Sequence, residues 1–447
     1  MVKMSKGILV VLVATVMFLL TGATPAPAQK IEIQFWHGLT QPLGGMLEKI
    51  AEDFNASQGK YRINPTFKGA YPDTMVAAIA AFRAGNAPHI VQMFEVGTAT
   101  MMAAREAIKP LYEIMQESGV PFDTRAYIPA VRGYFSLPDG RMMSMPFNTS
   151  TAITFYNKDA FRKAGLDPEK PPQTWQEVRA AARKIRAANA ANIGFTCAWP
   201  TWTQFEQFSA IHDIPLASKS NGLEGMDAAL MINSPLHVRH VQTLIDMQKE
   251  GSFKYGGRDN QGDALFPSGE AAIIQASSGL RARIIKEAKF EWGATMLPYY
   301  DDVKGAPKNS IIGGASFWTM TAPKRTAEEY KGVVEFFRFI SQPEVMAKWH
   351  MDTGYLPITF GGFERAQTLG YYKQNPGADI PYKQMIRSEM TKNSMGLRLG
   401  NMPEIRNVMH EELEKALQGQ QSAQQAMDSA VSRGNVILRN FERANRP

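Results

Sequence analysis

The sequence predicts an α/β fold with mainly parallel sheets, and three observations lead there. From Ile31 to Phe94, short alternating or apolar runs exchange with segments of helical spacing. A chain of 447 residues, 44% hydrophobic and 20% charged, is long enough for two ordinary domains with sizeable cores. Cys197 is the only cysteine, so no intrachain disulfide forms and stability rests on packing.

The elements follow in order. Ile31 to Trp36 alternates as a strand and ends in Trp36-His37-Gly38. Met46, Leu47, Ile50, Ala51 and Phe54 then recur at helical spacing up to a turn over 55–60. Tyr61 to Phe67 is a second strand, and Thr74 to Arg83 is an Ala-rich helix with Gly85 at its C-terminal end. His89 to Phe94 is an apolar strand running into Glu95-Val96-Gly97. After Asn148, Ile153 to Tyr156 is a strand, Asn157 opens a helix ending at Gly165, and Trp175 to Ala190 is helical. Cys197 to Trp202 is irregular and aromatic and leads into a helix; Glu270 to Gln275 is a buried strand ending in Ala276-Ser277-Ser278-Gly279. Ile311 to Ala315 carries paired glycines and reads as a crossing under tight backbone constraint. Lys331 to Ile340, Gln342 to His350 and most of Pro403 to Arg443 are helical, the last amphipathic.

Residues 1–28 read as an export signal. Lys3 and Lys6 precede the apolar run Ile8 to Leu20, and Ala26-Pro27-Ala28 supplies the small-x-small cleavage pattern. A spanning helix needs roughly 20 apolar residues, and Thr21-Gly22 stops this run early. Cleavage near Ala28 leaves a soluble, exported protein. Loss of the two lysines lowers the formal charge from +7 to +5. That excess is dispersed, without the Lys/Arg clusters of a nucleic-acid groove.

No G-x-S-x-G elbow, H-E-x-x-H pair or Walker loop is present, and the seven histidines lack ligand spacing. Neither a catalytic centre, a metal nor a cofactor is expected. His410-Glu411-Glu412 reads as a solvated helix face, and Asp259 to Asp263 as a plain turn lacking the terminal Glu of a calcium loop. What remains is small residues at strand ends. Ser277-Ser278-Gly279 follows a strand and opens a helix, a geometry that suits an anion. Gly313-Gly314 allows close backbone approach to a ligand. Each taken alone is more commonly a turn. Trp199 and Trp202 can cover a polyol skeleton or serve as core. Arg398, between Leu397 and Leu399 in a glycine-flanked loop, is placed for an anion partner.

These stretches resemble the extracytoplasmic solute-binding proteins of ABC uptake systems, and within them the glycerol-phosphate branch. FWHG at 35–38, AAFRAGNAP at 80–88, FEVGTATMMA at 94–103 and YNKDAFRKAGLDPE at 156–169 carry the resemblance. So do ASSG at 276–279, IIGGAS at 311–316, TGYLPIT at 353–359 and GLRLGNMP at 396–403. It implies a two-lobed periplasmic binding protein fold, each lobe a mainly parallel sheet flanked by helices, with ligand in the inter-lobe cleft. The implied lobes are 29–148 with 317–352 and 149–312 with 357–447, joined by crossings at 313–316 and 353–356. The implied pocket residues are Tyr71, Glu95, Ser150, Trp199, Trp202, Ser277, Gly314, Tyr355 and Arg398. Arg398 would anchor the phosphate, neutral donors would surround it, and Glu95 would accept from glycerol hydroxyls. The implied ligand is glycerol-3-phosphate or a glycerophosphodiester such as glycerophosphocholine, and the implied partners are membrane permease subunits with their ATPase. The protein would act as a monomer, without nucleic acid. A neutral-sugar binder and a secreted phosphoester hydrolase are the alternatives; the first wants more aromatic platforms, the second clustered metal ligands or an activated nucleophile. Ile211-His212-Asp213 and Pro200-Thr201 depart from the branch's Trp-Asn-Gly and Gln-Gly, near the implied glycerol side of the pocket.

Overall fold

A computed structural model describes residues 30–445, so the signal-peptide reading lies outside the described residues. Ten strands among them form two sheets. The first contains β1 (Ile31–His37), β2 (Tyr61–Phe67), β3 (Ile90–Phe94), β4 (Ile108–Lys109), β5 (Met145–Ser150) and β10 (Gly313–Met320). The second contains β6 (Ala152–Asn157), β7 (Ile193–Cys197), β8 (Ala271–Ser277) and β9 (Trp292–Thr295), in the order β7-β8-β6-β9.

The alternation over 31–94 produces the parallel trio β2-β1-β3. β10 then returns antiparallel to β3 and carries β4 and β5, both also antiparallel, on its far side. In the second sheet β7 and β8 are parallel, but β6 runs against both β8 and β9. The α/β lobes are therefore built on mixed sheets rather than mainly parallel ones. The cause is non-local: strands delivered from one lobe to the other enter in the direction that the crossing dictates, which no window of local sequence reports. β3 is buried at every position, as a strand covered on both faces should be.

Only Thr151 separates β5 from β6. Its carbonyl accepts from Ser278 N at 2.9 Å and its hydroxyl donates to Ile311 O at 2.9 Å, while Leu356 N donates to Thr149 O at 2.8 Å. The strand junction, the approach to β10 and the segment after the helix Pro343–Thr353 thus meet at one place between the sheets. Local caps sharpen the flanking helices. Asn157 accepts from Ala160 N, and Thr174 forms a capping box with Glu177 at the start of Trp175–Ala187.

The C-terminal helices Met402–Leu417 and Ala423–Asn445 pack on each other. There the structure corrects one reading: His410 and Glu412 are buried, and Glu412 takes Arg433 and Lys415 as partners. The Met402–Leu417 helix has neighbours on more than one side, so its polar residues do not all face solvent.

Candidate functional site

A cavity opens between the two sheets, enclosing about 830 Å³ out to its mouth. One wall comes from the first sheet and its loops, the other from the second.

The first wall is ordered by a chain of amides. Gly38 N donates to Gln92 Oε1 at 2.9 Å, Gln92 Nε2 to Asn148 Oδ1 at 2.8 Å, and Asn148 Nδ2 to the Tyr71 hydroxyl at 2.8 Å. The Tyr71 ring stacks on Phe94 with centroids 5.6 Å apart. Gly38 permits this, since a Cβ there would lie 2.8 Å from the ring. Burial raises the Tyr71 phenol well above its ordinary value, so it remains a hydroxyl. Ser150, at the end of β5, lines the same wall. Gly314 joins it with φ +87° and with the Asn148 carbonyl where a Cβ would stand.

Glu95 follows β3 and meets the other lobe through Arg406. Arg406 Nη2 donates to Glu95 Oε1 at 2.7 Å, and its Nε and Nη2 donate to the two Glu206 oxygens at 2.7 Å each. All three residues are buried. Burial pushes the Glu95 carboxyl up, Arg406 pulls it down, and Glu206 pushes it up again; the net direction is upward. Burial also works against the Arg406 charge, but Glu206 and Glu95 outweigh it and hold the guanidinium above its usual value.

The second wall carries both tryptophans. Trp199 adopts φ +51° and its N–H donates to Asp259 O at 2.6 Å, which ties it to the turn Asp259–Ala264. Its ring lies 6.1 Å from that of Tyr71 across the cavity. Trp202 begins the π-helical turn Trp202–Glu206, a rare geometry that recurs at functional sites. A Cβ on Gly313 would come within 2.3 Å of the Trp202 ring, so only glycine leaves room for it. Trp202 Nε1 is sealed from solvent and has no protein partner. Ser277 ends β8, and its Oγ accepts from Gly279 N at 3.2 Å. Over Gly279 sits the Tyr355 ring, stacked on Trp349 at 5.6 Å and 8°. Asn260, Asp263 and Arg283 complete this wall.

Eight of the nine residues expected from the sequence line this one cavity. Arg398 does not. Its Nη2 donates to Tyr134 O at 2.9 Å and Ser136 O at 3.0 Å, and Gly396 seats the loop directly against the Tyr134 ring. The arginines on the cavity wall are Arg406, bonded to Glu95, and Arg283. Arg406, Asp263, Asn260 and Arg283 were not singled out as site residues from sequence, and only Asn260 and Asp263 lay in a stretch weighed for ligand binding, the Asp259 to Asp263 turn. His212 is also off the wall. Its Nδ1–H donates to Phe208 O at 2.8 Å and its Nε2 accepts from Tyr300 N at 2.9 Å, inside a buried cluster with His237 and His240. The Ile211-His212-Asp213 departure therefore reaches the cavity only through Ile211, which packs with Trp202. Among the described residues, no group of three or more His, Cys, Asp or Glu is arranged to hold a metal ion. No helix among them is long and apolar enough to cross a membrane.

A model of the bacterial extracellular solute-binding protein family matches residues 49–369. The chain is 49% identical over 416 residues to the sn-glycerol-3-phosphate-binding periplasmic protein UgpB of Yersinia pseudotuberculosis, covering 93% of this chain and 94% of that one. It is 48% identical to UgpB of Pectobacterium atrosepticum, covering 93% of each. Among solved structures, UgpB from Mycobacterium tuberculosis in complex with glycerophosphocholine is similar with a TM-score of 0.75 at 20% identity, covering 92% of this chain and 99% of that one. Maltose-bound MalE3 of T. maritima is similar at 0.74 and 16% identity, covering 91% and 99%. At those identities the two structures speak to the fold.

Proposed function

The chain belongs to the bacterial extracellular solute-binding proteins, and from that premise we propose that it captures glycerol-3-phosphate or a glycerophosphodiester in the periplasm and hands it to an ABC permease. One observation carries the reading. A single cavity between two lobes brings together an arginine, several neutral donors at strand ends and an aromatic face. That relatives at 48–49% identity over nearly the whole chain are sn-glycerol-3-phosphate-binding proteins supports the same ligand.

In this reading Arg406 faces the phosphate with the hydroxyls of Ser150, Ser277 and Tyr355, the Gly314 N–H and the Trp202 indole N–H. A phosphate monoester near neutrality carries roughly −1.5 to −2 charges. Arg406 already serves two carboxylates, so compensation is partial, which permits release. Glu95 accepts from glycerol hydroxyls, and Trp199 covers the carbon skeleton. Arg398 acts at one remove by holding the Tyr134 and Ser136 carbonyls. Binding needs no catalysis, and the protein works as a monomer. The lobes, 29–148 with 317–352 and 149–312 with 357–447, close because the ligand touches both walls at once, contacts that an open form lacks. Calorimetry with glycerol-3-phosphate, glycerophosphocholine and maltose tests the assignment. Binding of either phosphate compound and not maltose is expected; maltose alone binding would overturn it.

A further inference from the structure

The cavity wall has a charge problem. Its ionisable side chains are two arginines, Arg283 and Arg406, and two carboxylates, Glu95 and Asp263, with Glu206 drawing on Arg406 from behind. Arg283 is itself engaged, its Nε donating to Glu287 at 2.9 Å. An anion entering this wall meets no surplus positive charge. Glu95 is bonded to Arg406, but Asp263 has no such counter-charge: its Oδ1 is sealed from solvent and has no hydrogen-bond partner in the protein. It is also firmly placed. Gly262 packs so closely on the Cys197 carbonyl that a Cβ would come within 2.6 Å, and Leu265 N bonds back to Gly262 O. Asp263 shares its side of the cavity with Ser277, Gly279 and Arg283.

We propose that Asp263 is a proton-carrying ligand residue: it meets the anion as a neutral acid, donates its hydrogen to a ligand oxygen, and capture takes up one proton. The inference rests on the anionic ligand proposed above. An ionised carboxylate offers a phosphate oxygen no donor and repels it, whereas the neutral acid supplies a hydrogen bond. The groups that face Asp263 leave this open. Arg283, on the helix Arg281–Glu287, favours ionisation. Tyr355, from the segment after Pro343–Thr353, is kept protonated by burial, which pushes it up to about 12. Glu95, across the cavity, is raised by burial but pulled down by the Arg406 guanidinium bonded to it, and Asp259, on the same turn as Asp263, is raised by burial. Burial outweighs Arg283 and pushes Asp263 up to about 7, so the free protein holds both forms near neutrality. A neighbouring anion pushes it further up. Affinity therefore rises as the medium acidifies through neutrality.

The test is calorimetry with glycerol-3-phosphate at pH 7.5–8.5, in pairs of buffers with different ionisation heats, on the wild type, D263N and D263S. The wild type is expected to take up close to one proton per ligand and to lose affinity by up to about tenfold per pH unit. The two variants, checked for folding by thermal melting, are expected to take up none and to give flat profiles. Wild-type binding without proton uptake, or uptake surviving in either variant, overturns the role of Asp263 alone. No binding at any pH overturns the proposed ligand and this inference with it.

Discussion

On the first wall of the cavity, each lining polar side chain that is sealed from solvent has a protein partner; on the second, Trp202 Nε1 and Asp263 Oδ1 have none. The first wall is a finished surface. Gly38, Gln92, Asn148 and Tyr71 hold one another through three bonds of 2.8–2.9 Å, so its donors and acceptors are aimed without help from a ligand. The second wall keeps buried polar groups whose desolvation costs about 1–3 kcal/mol each until something bonds to them. A ligand that satisfies both walls therefore gains most from the second. On the proposed function, this asymmetry would have the first wall orient the ligand and the second gain most from closing on it.

The largest test breaks the bridge between the walls. Arg406→Met leaves Glu95 and Glu206 buried without their cation, which should cost about 3–5 kcal/mol of stability and remove detectable binding of glycerol-3-phosphate. Denaturant unfolding and calorimetry read the two effects separately. Arg398→Ala is the contrast. It frees two carbonyls and should cost about 1–3 kcal/mol of stability while leaving affinity within roughly tenfold. If Arg398→Ala abolishes binding and Arg406→Met does not, the arginines have been placed in each other's roles.

Acid should weaken the second wall more than the first, where burial also lowers His350 to about 4 but, among the described residues, no cluster of three histidines stands behind the wall. Behind the second wall His240 Nε2 meets Gln204 at 3.1 Å, and Gln204 bonds Gln275 at 2.7 Å. Burial lowers His212 to about 4 and His237 to about 3, and lowers His240 well below its ordinary value. The unfolded chain begins to protonate these rings below about pH 6.5 while the folded protein does not. Stability present at pH 7 is thus lost as pH falls from about 6.5 toward the folded values, with His212 alone contributing roughly 3 kcal/mol at the end of that range. Hydrogen exchange at pH 7 and pH 5 should show the second lobe losing more protection. Uniform loss across both lobes would remove the distinction.

Glu95 asks whether the first wall needs a charge or only an acceptor. Glu95→Gln keeps one acceptor oxygen, for the glycerol hydroxyls or for Arg406, whereas Glu95→Ala removes both. Ala should weaken glycerol-3-phosphate binding by about 1.5–3 kcal/mol and Gln by clearly less. Equal damage would mean that the negative charge itself is required.

What sequence revealed of this site divides in the same way. Ser277 and Gly314 stand out because strand-end serines and paired glycines are local signals. Arg406 does not, because it sits in a regular amphipathic helix where arginine is ordinary, and only the meeting of β3, the Trp202–Glu206 turn and that helix makes it special. Arg398 drew notice for its apolar, glycine-flanked setting, yet that setting serves a clamp on the Tyr134 and Ser136 carbonyls. Strand positions were legible from alternation, but the direction of β10 and β6 was not, because it is fixed by segments far away in the chain. His410 and Glu412 read as solvated because one helix cannot report that a second will cover its polar face.

The smallest test sharpens the second wall alone. Trp202→Phe keeps an aromatic ring in the slot that Gly313 leaves open and deletes the Nε1–H that has no protein partner. If that donor is reserved for the ligand, affinity for glycerol-3-phosphate should fall by about 1 kcal/mol, roughly fivefold. Stability should not fall with it, because removing a buried, unsatisfied donor relieves a cost that the folded protein otherwise carries. Opposite signs on binding and stability are the signature of a group satisfied only by ligand. If thermal melting drops and affinity is unchanged, Trp202 is packing for the Ile211 cluster, and the second wall is as complete as the first.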